Sequence, residues 1–381
     1  MDFDLDPDQE LFADSVRRFA REQLAPGALD RAHSPDYPWD VAGQIAEQGL
    51  LGLTMPEAVG GQGATLVDAV IAIQEVALSC PKSADIVQAG NFGPIRTFAE
   101  YASPELQARF LPDLLAARTL IGLGMSEPEA GSAVTQLATS ARADGSDFVI
   151  DGTKVFSTHS ADATVFLIYV RYGPGTDGIG SVVVERGTPG FTQGPPSEFM
   201  SGEHWCQLYF DNCRIPAENV VLGPGGFRKQ MSGFNVERIG NAARSLALGR
   251  LAFELAKAHA TEREQFGRAL CDFQGIQWKF ADMAVQLESA QLLLYRAAAR
   301  ADRGLPSVYD TSIAKIACNQ AGFFLANESL QVMGALGFSR DTLVEYCLRR
   351  TRGWMIAGGS IEILKNRVAE SVFDRRFSQR A

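Results

Sequence analysis

The chain has 381 residues, 46% of them hydrophobic, and a formal net charge of -10. That length is more than one simple core accommodates and points to two or three domains, while the acidic balance, with no Lys/Arg-rich run, argues against a nucleic-acid partner. The longest apolar runs, such as Thr164 to Val170, are far too short to span a bilayer, so no membrane association is expected.

Residues 1–118 read as an N-terminal helical domain. Gln9 to Leu24 carries Leu11, Phe12, Val16, Phe19 and Ala20 on one stripe, with Pro26 close behind. Trp39 to Leu50 fits a second helix, followed by a Pro- and Gly-containing loop, LGLTMPEAVGGQGAT. Leu66 to Leu78 resumes a helix, and Pro104 to Leu115 gives another, with Ser103 as its N-cap. The acidic start, MDFDLDPDQE, is not patterned as a signal peptide.

Over residues 119–225 the texture changes to that of a β domain. β-Branched and aromatic runs appear at Phe148–Ile150, Val165–Val170, Ser181–Val184 and Gln207–Phe210, separated by DG, GPG, TPG and GPP turns. Residues 226–381 return to helical periodicity, with helices expected over Phe273 to Arg300 and Tyr309 to Met333, broken at Arg303, Gly304 and Pro306. The fold class is therefore mostly α with a middle β domain.

The long helical stretch Met231 to Gly267 anchors this last region. Its apolar positions are Ile239, Leu246, Leu251 and Leu255; Gly240, Ala242, Ala243, Ser245, Ala247, Gly249 and Ala252 are small, which lets another backbone or a flat ligand come close. Down one face from Glu237 lie Gly240, Asn241 and Arg244. That small, polar face either is solvated or lines a groove.

Six scattered cysteines form no CxxC pair and four lone histidines no HExxH, so neither a disulfide framework nor a metal site is suggested, and a reducing cytoplasm fits. No phosphate-binding GxxxxGK[ST] loop, no dinucleotide GxGxxG and no GxSxG serine elbow is present. Three loops stand out: Leu123 to Ser132, Arg263 to Gly267, and Ala357 to Ser360 ahead of a helix over Ile361–Val368, where Gly358-Gly359-Ser360 is a ready anion seat.

Together these segments resemble the acyl-CoA dehydrogenase family of flavoproteins over nearly the whole chain. The N-terminal pattern appears as Gly49-Leu50-Leu51-Gly52 through Pro56-Glu57 to Gly60-Gly61-Gln62-Gly63. The family's TEPGAGSD loop appears as Ser126-Glu127-Pro128-Glu129-Ala130-Gly131-Ser132-Ala133, and its GTKxWITN strand as Gly152-Thr153-Lys154-Val155-Phe156-Ser157-Thr158-His159. RxxFG appears as Arg263-Glu264-Gln265-Phe266-Gly267, and QxxGGxG as Gln331-Val332-Met333-Gly334-Ala335-Leu336-Gly337.

The resemblance implies a helical domain, a β-barrel-like domain and a C-terminal four-helix bundle, a bound FAD, an acyl-CoA substrate, an electron-transfer flavoprotein as acceptor, and a homotetramer built as a dimer of dimers, or a hetero-oligomer. It places Leu123, Met125, Ser126, Gly131, Ser132, Phe156 and Thr158 at the flavin, and Arg263, Gln265, Phe266, Gln331, Gly334 and Gly359 at the FAD of a neighbouring subunit. Substrate contacts would come from Ser132, Phe234, Arg238 and Gly358. The family's YEGT glutamate is replaced here, in Ile356-Ala357-Gly358-Gly359, by Ala357, which has no carboxylate. Branches that carry the base on the central helix place it immediately before an Arg, the position of Glu237 before Arg238. Glu237 is then the expected base, Arg238 an orienting group, and the Ala357 N–H a donor to the thioester carbonyl. The Gly-x-Arg stretch the family often has ahead of the Leu208 strand is missing from Phe199–Cys206, and Ala133 replaces the common Asp. Asp85, Gln88 and Asn91 are the expected pocket floor and suggest a short or polar acyl group. The same scaffold also accommodates enoyl-CoA reduction, β-elimination of a group such as sulfinate, or a non-catalytic partner subunit.

Overall fold

The computed structural model describes residues 4–157, 159–304 and 306–377. In chain order the first helices are α1 (Pro7–Phe19), α2 (Ala28–His33), α3 (Trp39–Glu47), α4 (Leu66–Ser79), α5 (Ser83–Ala89), α6 (Pro94–Tyr101) and α7 (Pro104–Leu115). Ten strands follow: β1 (Ile121–Gly124), β2 (Ser140–Asp144), β3 (Asp147–Lys154), β4 (Val165–Arg171), β5 (Ile179–Glu185), β6 (Phe191–Gln193), β7 (Ser197–Glu198), β8 (His204–Trp205), β9 (Leu208–Pro216) and β10 (Val220–Leu222). Then come α8 (Phe227–Glu262), the short pair β11 (Glu264–Gln265) and β12 (Arg268–Ala269), α9 (Gln274–Ala301), α10 (Val308–Met333), α11 (Ala335–Phe338), α12 (Val344–Trp354) and α13 (Ile361–Val372). The helix–strand–helix order matches the sequence reading. The chain separates into two compact units, one of residues 1–34, 65–88 and 235–381, the other of residues 35–64 and 89–234.

The second unit holds the sheet, ordered β10-β5-β4-β2-β3-β9-β6, with β1 parallel to β4. In β4, six of seven residues are buried, because both faces of the strand are covered and a continuous apolar run is needed. In β9 the apolar positions alternate with exposed ones, the mark of one wet face. One face of the sheet packs Leu167, Tyr169 and Val183 against Phe98, Phe110 and Leu114 of α6 and α7. The start of α7 is well capped: Ser103 Oγ accepts from Leu106 N–H at 3.2 Å, and Pro104 needs no donor there.

In the first unit α10 packs against α9, α12 and α13. The small residues of α8 serve a backbone approach: a Cβ at Gly249 would stand 2.7 Å from Gly322 Cα, and one at Gly322 would stand 2.3 Å from Ser245 O. No helix among the described residues is long and apolar enough to cross a membrane.

Candidate functional site

Glu237 lies on α8 in the first unit, and its face is not solvated. Gly240 and Asn241 are buried, and Arg244 is 9% exposed. The seven-residue α5 faces it. Gln88 Nε2 donates to Glu237 Oε1 at 2.5 Å, and one turn back along α5, Asp85 pairs with Arg244 at 2.6 Å and with Arg350. Both guanidiniums lie over the Trp354 ring, at 3.9 and 4.7 Å from its centroid. Some of Glu237 remains open to solvent, but its Oε2 is buried and has no hydrogen-bond partner. Burial raises the Glu237 pKa to about 7; Arg244, Lys315 and the Gln88 hydrogen bond oppose the rise.

Lys315 of α10 is fully buried. Its Nζ donates to Trp354 O and Gly359 O, both at 3.0 Å. Burial, reinforced by the charge of Arg238, pulls its pKa down to about 7, against the attraction of Glu237. Asn319 Nδ2, one turn along, donates to Trp354 O at 2.6 Å and to Asn241 Oδ1 at 3.1 Å. Arg238 does not pair with Glu237; its Nη1 donates to Asn235 at 2.6 Å and its Nε is buried without a partner. Burial lowers the Arg238 pKa to about 10, aided by Arg367.

The turn before α13 borders this group. A Cβ on Gly358 would come 3.5 Å from the Lys315 stem and 3.8 Å from Asn241, and one on Gly359 4.0 Å from Arg238. Both glycines have positive φ, 70° and 95°. The Ala357 N–H, expected at the thioester carbonyl, donates in the structure to Gly353 O at 3.1 Å, closing a helical turn. The N–H groups at the start of α13 are partly capped, since Ser360 Oγ accepts from Ile363 N–H at 3.4 Å.

In the second unit, Leu123 belongs to strand β1 instead of a loop, and Met125 and Ser126 follow it. Val155 N–H donates to Ser126 O at 2.9 Å, tying this segment to the end of β3. A buried ion pair backs the tie. Lys154 Nζ bonds Glu127 Oε1 at 2.7 Å and Met125 O at 3.3 Å, and the Glu127 carboxylate also accepts from the N–H of Ala138 and Thr139 at 2.6 and 2.9 Å. Burial disfavours the Glu127 carboxylate, but Lys154 and these N–H groups outweigh it and hold its pKa below the usual range. Burial lowers the Lys154 pKa to about 8.

Phe156, at φ 54°, turns out of the strand and is 59% exposed. Trp205 and Phe199 lie beside it, at 4.6 and 6.3 Å between ring centroids, and form an open aromatic surface. Ser157 Oγ next to it is buried with no partner. Gly131 and Ser132 are exposed and Phe234 is half-buried on α8. Thr158 lies outside the described residues. A flat, aromatic, hydrogen-bonding ring such as a flavin suits these groups. Arg263, Gln265 and Phe266 sit on the exposed β11–β12 hairpin of the first unit, with Phe266 94% exposed at φ 54°. Gln331 and Gly334 are exposed at the end of α10.

Of the expected floor, Asp85 and Gln88 face α8, whereas Asn91 belongs to the other unit and donates to Leu50 O at 2.8 Å. Sequence reasoning missed Lys315, Asn319, Arg350 and Trp354. A lone Lys in SIAKIAC looks like one solvated position of a helix; its four flanking apolar or small residues were the available signal that it is buried.

Three family models match the chain: "Acyl-CoA dehydrogenase, N-terminal domain" over residues 6–118, the "middle domain" over 122–213 and the "C-terminal domain" over 224–373. A 3-sulfinopropanoyl-CoA desulfinase of Paraburkholderia xenovorans is 34% identical, covering 99% of each chain. An acyl-CoA dehydrogenase of Bacillus subtilis is 32% identical over 93% of this chain and 95% of that one. The solved butyryl-CoA dehydrogenase of Megasphaera elsdenii superposes with a TM-score of 0.92 at 28% identity, over 98% of this chain and 100% of that one.

Proposed function

Since the chain belongs to the acyl-CoA dehydrogenase family, an FAD-dependent family of oxidoreductases, we propose that it oxidises an acyl-CoA thioester between its α- and β-carbons, with Glu237 as the base. The observation that carries this reading is Glu237 Oε2, a buried carboxylate oxygen without a partner. The α-proton of a thioester is weakly acidic, so the acceptor must be basic and positioned, and a pKa near the working pH serves best. Glu237 has a pKa raised to about 7 by burial. Gln88 fixes Oε1 and leaves Oε2 to receive the proton. Arg244 and Lys315 restrain the pKa, so that a large share of the groups stays ionised near neutrality.

FAD, when bound, supplies the acceptor for the β-hydride. Leu123, Met125, Ser126, Gly131, Ser132 and Phe156 would hold its ring end. Arg263, Gln265, Phe266, Gln331, Gly334 and Gly359 would hold the FAD of a neighbouring copy, which calls for an oligomer, the homotetramer that the family resemblance implies. Arg238, kept in place by Asn235, would orient the acyl end, with Phe234, Ser132 and Gly358 along the thioester. An electron-transfer flavoprotein is the proposed acceptor, and solved work on the electron transferring flavoprotein of Acidaminococcus fermentans includes a chain similar to this one, at a TM-score of 0.92 and 27% identity.

A second reading, elimination of a β-substituent such as sulfinate, is favoured by the lack of a carboxylate at Ala357 together with the desulfinase relative. Anaerobic titration of the purified holoprotein decides. Bleaching of the flavin by a saturated thioester supports dehydrogenation. No bleaching, with sulfinate lost from a 3-sulfinoacyl thioester, supports elimination. Purified protein that binds FAD yet responds to no thioester would make it a non-catalytic partner.

A further inference from the structure

A buried ion pair is a poor way to hold two segments together, because desolvating both charges offsets much of their attraction and a well-packed apolar pair often serves as well. The second unit nevertheless keeps Lys154 and Glu127, 0% and 7% exposed, in contact at 2.7 Å. The lysine ends β3, and its stem runs against β1: a Cβ on Gly124 would stand 3.2 Å from Lys154 Cγ. Its ammonium reaches Met125 O at 3.3 Å. The two charges are not equally compensated. The Glu127 carboxylate accepts from the N–H of Ala138 and of Thr139 as well as from Lys154, so three donors share its charge. The ammonium has one carboxylate and one carbonyl as its acceptors among the described residues. Its pKa, lowered by burial to about 8, leaves it mostly charged at neutral pH.

The far side of that carbonyl shows where the charge acts. In a planar trans peptide the C=O and the N–H point opposite ways. With Met125 O turned to the buried ammonium, the Ser126 N–H of the same peptide points away from it. Met125 and Ser126 are half-buried, and the Ser126 N–H has no acceptor among the described residues. Val155 N–H donates to Ser126 O at 2.9 Å and so fixes how this segment is turned. A cation bonded to the carbonyl end of a peptide polarises it and makes its N–H a stronger donor.

We propose that Lys154, acting through the Met125–Ser126 peptide, is a positioning residue that favours the reduced form of the flavin and so raises its reduction potential. This rests on the assignment of Met125 and Ser126 to the ring end of FAD, and adds the charge that stands behind them. A hydride brings two electrons and one proton, so a neutral ring that accepts it gains one negative charge. A strengthened N–H with a cation behind it stabilises that charge more than it stabilises the neutral oxidised ring. Glu127 holds the ammonium in place and, shared among three donors, cancels only part of its field.

The test is the midpoint potential of the bound flavin, from anaerobic reductive titration against a reference dye, with FAD affinity measured in parallel on the apoprotein. Glu127→Gln/Lys154→Gln removes both charges and leaves amides able to hydrogen-bond in their place. Glu127→Gln/Lys154→Met removes both charges and the tie to Met125 O, and serves if the first variant does not fold. In either, the preference for reduced over oxidised flavin should drop about tenfold, a fall of about 30 mV in the two-electron potential. A pair that only staples the segment would leave the potential at its wild-type value, and that result, or a rise, would overturn the proposal. Ser126→Ala separates this from the assignment beneath it. With Ser126 at the ring, that variant binds FAD more weakly or shifts the flavin absorption bands. If neither changes, Ser126 does not meet the ring and both assignments fall; if either changes while the double variants keep the wild-type potential, only the role of Lys154 falls.

Discussion

At the residue scale the site is governed by one carboxyl group and the cations around it. Burial lifts the Glu237 pKa to about 7, so the rate of flavin reduction by substrate should rise about tenfold per pH unit below that value and level off above it. Lys315 holds the Glu237 pKa down. Replacing it in Lys315→Met should move the inflection to higher pH, although Arg244 and the Gln88 hydrogen bond remain; an unmoved profile would show that Lys315 only ties the Trp354 and Gly359 carbonyls. The same group bears on stability. A carboxyl whose folded pKa exceeds its unfolded one contributes stability fully below the unfolded value near 4.5, and that contribution is lost as pH rises through about 7. Glu237 itself was legible from its place before Arg238. Its environment was not, because Lys315 lies 78 positions away in the chain and Asp85 and Arg350 meet only in three dimensions.

At the element scale, long periodic helices were readable and short buried elements were not. Phe273 to Arg300 and Tyr309 to Met333 were expected, and α9 and α10 run Gln274–Ala301 and Val308–Met333, because periodic apolar positions and the intervening Gly304 and Pro306 mark both ends. Strand β1, Ile121–Gly124, escaped notice: four residues with two glycines look like a loop, and only pairing with β4 makes them a strand. Helix α5 escaped for a related reason. Six of its seven residues are buried, so no polar face betrays its period.

Two predictions belong here. A methyl at Gly322 would stand 2.3 Å from Ser245 O, so Gly322→Ala should force α8 and α10 apart and destabilise the protein by about 1–3 kcal/mol in urea unfolding. An unchanged midpoint would mean that the crossing gives freely. In the second unit, Glu127→Gln leaves Lys154 buried without its counter-charge and should destabilise by about 3–5 kcal/mol, with much of the loss recovered in Glu127→Gln/Lys154→Met. A double variant no better than the single would show that the N–H contacts of Ala138 and Thr139, more than the ion pair, hold the segment.

At the scale of the whole molecule, the three family models together match most of the chain, yet the chain itself separates into two units. The proposed flavin groups are divided between them: Leu123 to Phe156 in one, Arg263 to Gly359 in the other. If the second set serves a neighbouring copy, cofactor retention and assembly are linked. Phe266, almost wholly exposed on its hairpin, reports on that link. Phe266→Ser should lower the FAD-to-protein ratio after gel filtration and weaken the proposed tetramer on dilution. A full FAD complement in a dilute monomer would refute the shared-site arrangement.

The most direct measurement is stopped-flow reduction of the FAD-loaded protein by its thioester substrate, wild type against Glu237→Gln, with thioester binding measured in parallel by calorimetry. The account predicts that the variant still binds thioester while flavin bleaching slows by about 10²–10⁴-fold and loses its inflection near pH 7. Bleaching at the wild-type rate with the same pH profile would contradict it, because the proton would then be leaving for some group other than Glu237.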